Sequence, residues 1–422
     1  MLNYKPGDLI NVITKDDSFT GIYIPQKDEK FISIKLDNGY NIGIDKRKVK
    51  EIKILKEYKE TTKEIKTKEI KTKGLKKISI LHTGGTIASK VDYKTGAVSA
   101  KFSPEEILQM FPELKNIANI DSRLIANIMS ENMDFSHYNL MAKEIEKEIK
   151  KKADGIIITH GTDTMHYSSA ALSFILEDLP IPVIFVGAQR SSDRGSSDSA
   201  INLLSAAYFI ANSDFAEVAV CMHENINDEN CLILQGTKVR KMHTSRRDAF
   251  RPINTIPYAV VNIKNKNIKF LRKEYPQRSS KIIKLKLFNE KLKIGILKSH
   301  PQINPGEILT YKDFDGLVIE GTGLGHIPTD KDTLDAIKKV KAVMVMAPQT
   351  IYGRLQMNVY SSGREIQELG ILGNYSDMTP ETTFIKLVWL LSNYKKEEAK
   401  ELITVNLRGE ISERTEKEAF LI

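Results

Sequence analysis

Cysteine is nearly absent: Cys221 and Cys231 are the only two in a chain of 422 residues. So few thiols exclude a disulfide framework and a four-thiolate zinc site. They fit two small apolar residues kept reduced in a cytosol. No stretch approaches the roughly 18 consecutive apolar residues of a membrane-spanning helix. The opening residues, Met1-Leu2-Asn3-Tyr4-Lys5-Pro6-Gly7, lack the basic-then-apolar order of a secretory signal, so a cytoplasmic chain with no membrane partner is expected. The one tryptophan, Trp389, stands among Leu387, Val388, Leu390 and Leu391, where a core or interface position is expected.

The residues that are abundant bound the answer further. A hydrophobic fraction of 41% and a charged fraction of 28% describe a chain that buries real cores. Its length implies two or three domains. The net charge of +9 is uneven: residues 1–77 hold 19 Lys/Arg against 12 Asp/Glu, a net of +7. Such asymmetry points to an anion, RNA foremost, as a partner of the N-terminal part; a solvated lysine-rich surface accounts for the same charge.

Residues 9–14, 19–24, 31–36 and 40–44 are apolar or β-branched runs separated by the turn signals Asp16-Asp17-Ser18 and Asp37-Asn38-Gly39. Four or five short strands predict a small SH3-like β-barrel over 1–55. In 56–74 the pentapeptide Lys63-Glu64-Ile65-Lys66-Thr67 recurs as Lys68-Glu69-Ile70-Lys71-Thr72. Its five-residue period fits neither helix nor strand, so a charged linker is expected. From residue 75 the pattern is α/β. Strands are expected at 77–81, 155–159, 182–187 and 217–222. One helix should start at the capping box Ser103-Pro104-Glu105-Glu106, and another carries Tyr138, Met141, Ile145 and Ile149 on one face. After a lysine-rich, aperiodic stretch, a second unit has strands at 292–297, 316–319 and 342–347 and helices at 330–339 and 380–394. The expected architecture is two doubly wound parallel sheets, in domains 75–288 and 289–422.

Open parallel sheets bind ligands at the carboxyl ends of their strands. Two glycine-bearing turns fall there: Thr83-Gly84-Gly85-Thr86-Ile87-Ala88-Ser89 and Thr159-His160-Gly161-Thr162-Asp163-Thr164-Met165. If their strands are neighbours, both turns face one crevice. Phosphate binding is one use of such turns, but neither has the Gly-Lys-Ser/Thr of a P-loop. Nucleophilic catalysis is another: a threonine hydroxyl needs a base, which a second threonine, an aspartate and a lysine can supply, with backbone N–H groups holding an oxyanion. A third is ordinary helix capping. Gly321-Thr322-Gly323-Leu324-Gly325 lacks full dinucleotide-binding spacing, and His82 and His160 have no acidic or thiol partner at ligand spacing, so no metal is expected.

Together the two turns resemble the signature motifs of the bacterial-type L-asparaginase family, in order and about 75 residues apart. The resemblance extends to Ser130-Glu131-Asn132-Met133, to Gly187-Ala188-Gln189-Arg190, to Lys241 in a Lys-Met-His-Thr-Ser-Arg-Arg-Asp-Ala-Phe run, and to Tyr93 of a lid loop. It implies that Thr86 is the nucleophile, that Tyr93 orients it, and that Thr162, Asp163 and Lys241 form a second catalytic cluster. Ser130, Glu131 and Asp163, with Gly85 and Gly161, would hold the substrate. Glu131 departs from the glutamine of many stand-alone members. The 321–325 loop and His326 would shape the site of a neighbouring subunit in a homodimer. The added N-terminal part, with residues 349–364, is similar to the D-subunit family of archaeal glutamyl-tRNA(Gln) amidotransferases. That resemblance implies a glutaminase that binds no cofactor and forms a heterotetramer with an E subunit, which carries ATP, Mg and most contacts to Glu-tRNA(Gln). A stand-alone asparaginase with an added domain is the alternative.

Overall fold

The computed structural model describes residues 4–25, 30–36, 41–58, 72–85, 111–190 and 196–420, with backbone only at 89–91 and 98–100. The helix start expected at 103–106 and most of the 56–74 linker lie outside these residues.

Five strands open the chain: β1 (Leu9–Thr14), β2 (Ser18–Ile24), β3 (Phe31–Lys35), β4 (Asn41–Asp45) and β5 (Val49–Lys56). Each successive pair of β1 to β4 is antiparallel, and β5 returns to lie beside β1, giving the order β4-β3-β2-β1-β5. Alternation puts Ile10, Val12, Ile32, Ile34 and Ile44 on a shared buried face. The expected barrel is here an open antiparallel sheet: β4 and β5 are its edges, and among the described residues no pairing between them closes it.

The body begins with β6 (Lys77–His82) and β7 (Asn119–Leu124). Helix α1 (Phe135–Lys150), β8 (Gly155–Thr159), α2 (Met165–Ile175), β9 (Val183–Val186), α3 (Ser199–Asn212), β10 (Val218–His223) and β11 (Cys231–Gln235) follow. A hairpin of β12 (Val239–Lys241) and β13 (Phe250–Pro252) precedes β14 (Ala259–Asn262) and β15 (Asn267–Phe270). The main sheet runs β15-β14-β11-β10-β9-β8-β6-β7. Its strands from β10 to β7 are parallel, as expected, because a helix-length crossover separates most of them. The wholly parallel sheet is corrected at the other end, where β11, β14 and β15 are antiparallel. Seven residues join β10 to β11 and four join β14 to β15, too few for a crossover.

Helices cover both faces of this sheet. Ile156 and Ile158 pack with α1 and α2, while Ile157 between them packs with α3. Burial on both sides explains the unbroken apolar run of β8. Each such side chain contributes roughly 1.5–3 kcal/mol by leaving water. Helix α1 is capped by Asp134, whose side chain accepts from Ser136 and His137 N–H groups.

A second, three-stranded parallel sheet follows: β16 (Ile294–Lys298), β17 (Gly316–Gly321) and β18 (Val343–Pro348), in sequence order. Helix α4 (Pro380–Asn393) lies between the two sheets and packs on α2. Val318, Val345, Leu387 and Trp389 therefore share one core with Phe185 and Val220. Trp389 is a core residue, stacked at a tilt 5.5 Å from Phe174. Among the described residues no helix is long and apolar enough to cross a membrane.

Candidate active site

β6 and β8 are hydrogen-bonded parallel neighbours, with Thr159 opposite His82, so the turns that follow them emerge side by side. Thr83 ties them further: its N–H (3.1 Å) and hydroxyl (2.9 Å) both donate to Thr159 O. Gly84 and Gly85 have φ of +114° and +82°, which favours glycine. Their lack of a Cβ matters as much. At Gly85 a Cβ would stand 2.4 Å from Gly161 N, and at Gly161 it would stand 2.8 Å from the Cβ and Oγ of Ser130. Three segments thus meet at backbone contact, and Thr164 Oγ1 locks the third by donating to Ser130 O at 2.6 Å. Ser130 is buried beneath the turn, whereas Glu131 is exposed.

Lys241 arrives from the opposite side. β12 and β13 set it opposite Phe250, and the intervening loop is closed by Met242 N–H to Ala249 O, 2.7 Å. Buried Asp248 stiffens the loop by accepting from Arg246 and Arg251. The Arg246 hydrogen bond first, then the charges of Arg251 and Arg246, hold its carboxyl below the usual range against the effect of burial. From this base the largely buried Lys241 Nζ donates to Thr162 Oγ1 at 2.9 Å and to the exposed Asp163 Oδ1 at 2.6 Å. Thr162 also touches the turn after β9: a Cβ at Gly187 would lie 2.8 Å from Thr162 Cγ2. With one lone pair occupied by the ammonium, the Thr162 hydroxyl keeps its own proton for the crevice.

The structure therefore brings together Gly85, Ser130, Gly161, Thr162, Asp163 and Lys241. Thr86 follows Gly85 in the chain; it and Tyr93 lie outside the described residues. The histidines beside the motifs are tied into the strand ends. His82 sits between Thr159 Oγ1 and Ser122 Oγ, both at 2.7 Å, and His160 between Gly161 O (2.6 Å) and Ser168 Oγ (2.8 Å). Burial pushes both down to about 4, so they are neutral at pH 7. No group of three or more His, Cys, Asp or Glu among the described residues could hold a metal ion. The sequence reading missed Asp198 and Asn202. Asp198, fully buried, accepts the N–H groups of Gln189 and Arg190, and Asn202 donates to Gly187 O. No motif marks them; their only signal is polarity at the start of an otherwise apolar helix. A separate cavity of about 760 Å³, lined by Glu217, Tyr258, Arg272 and Arg408 among others, opens where β10 begins, away from this cluster.

Three family models match the chain: "GatD N-terminal domain" over residues 4–55, "Asparaginase, N-terminal" over 77–275 and "Glutaminase/Asparaginase C-terminal domain" over 293–403. The D subunit of glutamyl-tRNA(Gln) amidotransferase from Methanococcus vannielii is 45% identical, covering 96% of this chain and 98% of that one. The protein of the same name from Thermococcus kodakarensis is 44% identical, with 98% and 96% covered. Among solved structures, the thermostable L-asparaginase of Thermococcus kodakarensis matches with a TM-score of 0.70 at 30% identity. It covers 80% of this chain and 99% of its own. L-asparaginase I of Vibrio cholerae gives 0.69 at 28%, with the same coverage. An asparaginase-like α/β body joined to an N-terminal domain of this kind defines one family, and this chain belongs to it: the D-subunit family of glutamyl-tRNA(Gln) amidotransferases.

Proposed function

We propose that the chain is the glutaminase of a tRNA-dependent amidotransferase, hydrolysing the side-chain amide of glutamine and passing ammonia to a partner subunit. The observation that carries the reading is Lys241 Nζ held between Thr162 Oγ1 and Asp163 Oδ1, in the crevice where the two glycine turns touch. In this reading Thr86 Oγ1 attacks the amide carbon while its proton is drawn off, with Tyr93 orienting the hydroxyl. The carbonyl π electrons move to oxygen, and backbone N–H groups of the turns stabilise that oxyanion. Collapse breaks the C–N bond, and the nitrogen leaves as ammonia with the transferred proton. An ester on Thr86 remains. Water, activated by the Thr162–Lys241–Asp163 cluster, attacks it and releases glutamate. Ser130, Glu131 and Asp163 hold the amino-acid head group.

The reading requires no metal or organic cofactor on this chain. ATP, Mg and most contacts to Glu-tRNA(Gln) are assigned to an E subunit, in a heterotetramer built on a homodimer of this chain, in the cytoplasm. The open N-terminal sheet is assigned to contacts within that assembly. The stand-alone asparaginases that match in structure leave about a fifth of the chain uncovered, which supports the subunit reading over a free asparaginase. The test of the nucleophile is Thr86→Ala. Ammonia release from glutamine should vanish with circular dichroism unchanged. Retention of more than a few percent of the rate would remove Thr86 from that role.

A further inference from the structure

Two walls of the site are joined through one buried histidine. Behind the 187–190 turn, fully buried Asn202 of α3 donates from Nδ2 to Gly187 O (3.0 Å) and to Asp198 Oδ2 (3.1 Å). Its Oδ1 faces His223 Nδ1 at 2.6 Å. An amide oxygen only accepts, so Nδ1 carries a proton. His223, itself without exposed surface, then turns Nε2 to Asp228 Oδ1 at 3.3 Å, on the loop between β10 and β11. Asp228 also pairs with Arg247, which lies in the loop joining Lys241 to Phe250. The contacts run from the turn that touches Thr162 to the loop that carries Lys241, through Asn202, His223, Asp228 and Arg247.

We propose that His223 is a positioning residue for amide hydrolysis. By holding Asn202 on one side and Asp228 on the other, it fixes the Gly187 turn and the Lys241 loop relative to each other around Thr162. The proposal rests on the glutaminase reading. Misplacing catalytic groups by a fraction of an ångström lowers turnover more than substrate affinity. The groups facing His223 are Asn202 of α3, Asp198 just before that helix, Cys231 from β11 and Asp228 from the loop, with Arg247 beyond it. Cys221, two residues away on the same strand, donates from Sγ to Asn202 O at 3.5 Å. Burial opposes a charge on the ring, but Cys231, Asp198 and Asp228 outweigh it and hold the pKa above that of an ordinary histidine. With both nitrogens protonated, both contacts are donor to acceptor. Loss of the Nε2 proton as pH rises through that pKa turns the Asp228 contact into two acceptors.

The decisive variants separate the two contacts. Asp228→Ala removes a half-exposed side chain and leaves the core untouched. His223→Asn keeps a donor where Nδ1 stood but no longer reaches Asp228. Both should lower kcat on glutamine about five- to tenfold, change KM less than about twofold, and leave the thermal midpoint nearly unchanged for Asp228→Ala. The double variant should be no slower than the slower single one, since both cut one link. In the native enzyme kcat should fall as pH rises through the His223 pKa, and that fall should flatten in His223→Asn. Wild-type kcat and pH profile in Asp228→Ala would overturn the proposal, as would a His223→Asn that loses only stability. Failure of the glutaminase reading looks different: the unaltered chain would release no ammonia from glutamine, alone or with its partner.

Discussion

Lys241 and the glycines facing it decide what the site can do. Replacing Lys241 by Met keeps much of the side-chain volume but removes the donor to Thr162 and Asp163. We expect kcat to fall by about 10²–10⁴, the usual worth of positioned acid–base catalysis, with far-UV circular dichroism unchanged. A fall of less than about tenfold would detach Lys241 from the chemistry. Gly161→Ala tests the close approach instead. Its methyl would press into Ser130 at 2.8 Å, so stability should drop by about 1–3 kcal/mol in denaturant unfolding, and kcat/KM should fall at least tenfold. At this scale the sequence was informative where chemistry repeats a pattern: the Thr162, Asp163 and Lys241 contacts join the residues singled out from the motifs. Asp198, Asn202 and His223 were not legible. None belongs to a quoted motif, His223 is some twenty residues from the other two, and only folding shows that a helix start and a strand end share one buried amide.

Strands and helices were readable where burial imposes a period. β8 runs 155–159 as its apolar run implied, and α1 buries Tyr138, Met141 and Ile145 at helical spacing. The antiparallel strands were harder. β15 is half-exposed with lysine at Lys269, and β14 alternates weakly, so neither stands out from loop composition. Three buried histidines, His82 and His160 at strand ends and His166 in the first turn of α2, make a pH dependence of stability. His82, His160 and His166 are each pushed down to about 4 by burial, from an ordinary value near 6.5. Their stabilising effect is fully present above about pH 6.5 and is lost as pH falls toward 4. Each costs about 2 kcal/mol by pH 5. Glu217 acts in the opposite sense: burial pushes its carboxyl up to about 7, so folding gains as pH falls from 7. These four groups together give a fall of roughly 2–4 kcal/mol between pH 7 and pH 5, which the raised pKa of His223 lessens, measurable by urea unfolding. Glu217→Gln should steepen it. Stability that stays flat or rises over that window would mean the histidines are not held neutral.

The whole molecule is an asparaginase-like body with extra parts at its N-terminus, and the charge of those parts is distributed in a telling way. Residues 1–58 hold 11 Lys/Arg against 9 Asp/Glu, while residues 59–77 hold 8 against 3. Most of the positive excess therefore belongs to residues 59–77, and the residues of the sheet are nearly balanced. This weakens the idea of the sheet as an RNA-binding module and favours contact with another protein subunit in the assembly proposed above. The fold class of the body was legible because strand–helix alternation leaves few topologies. Whether the five N-terminal strands close was not, since closure depends on edge pairing that local pattern does not encode.

In the proposed function, amide hydrolysis serves a partner subunit. The most direct measurement is ammonia release from glutamine by the chain alone, then with its partner subunit, then with partner and glutamylated tRNA(Gln). Release should be slow for the chain alone and at least tenfold faster in the complete complex, with asparagine a poorer substrate there. Fast release from asparagine by the isolated chain, unaffected by partner and tRNA, would contradict the proposed function.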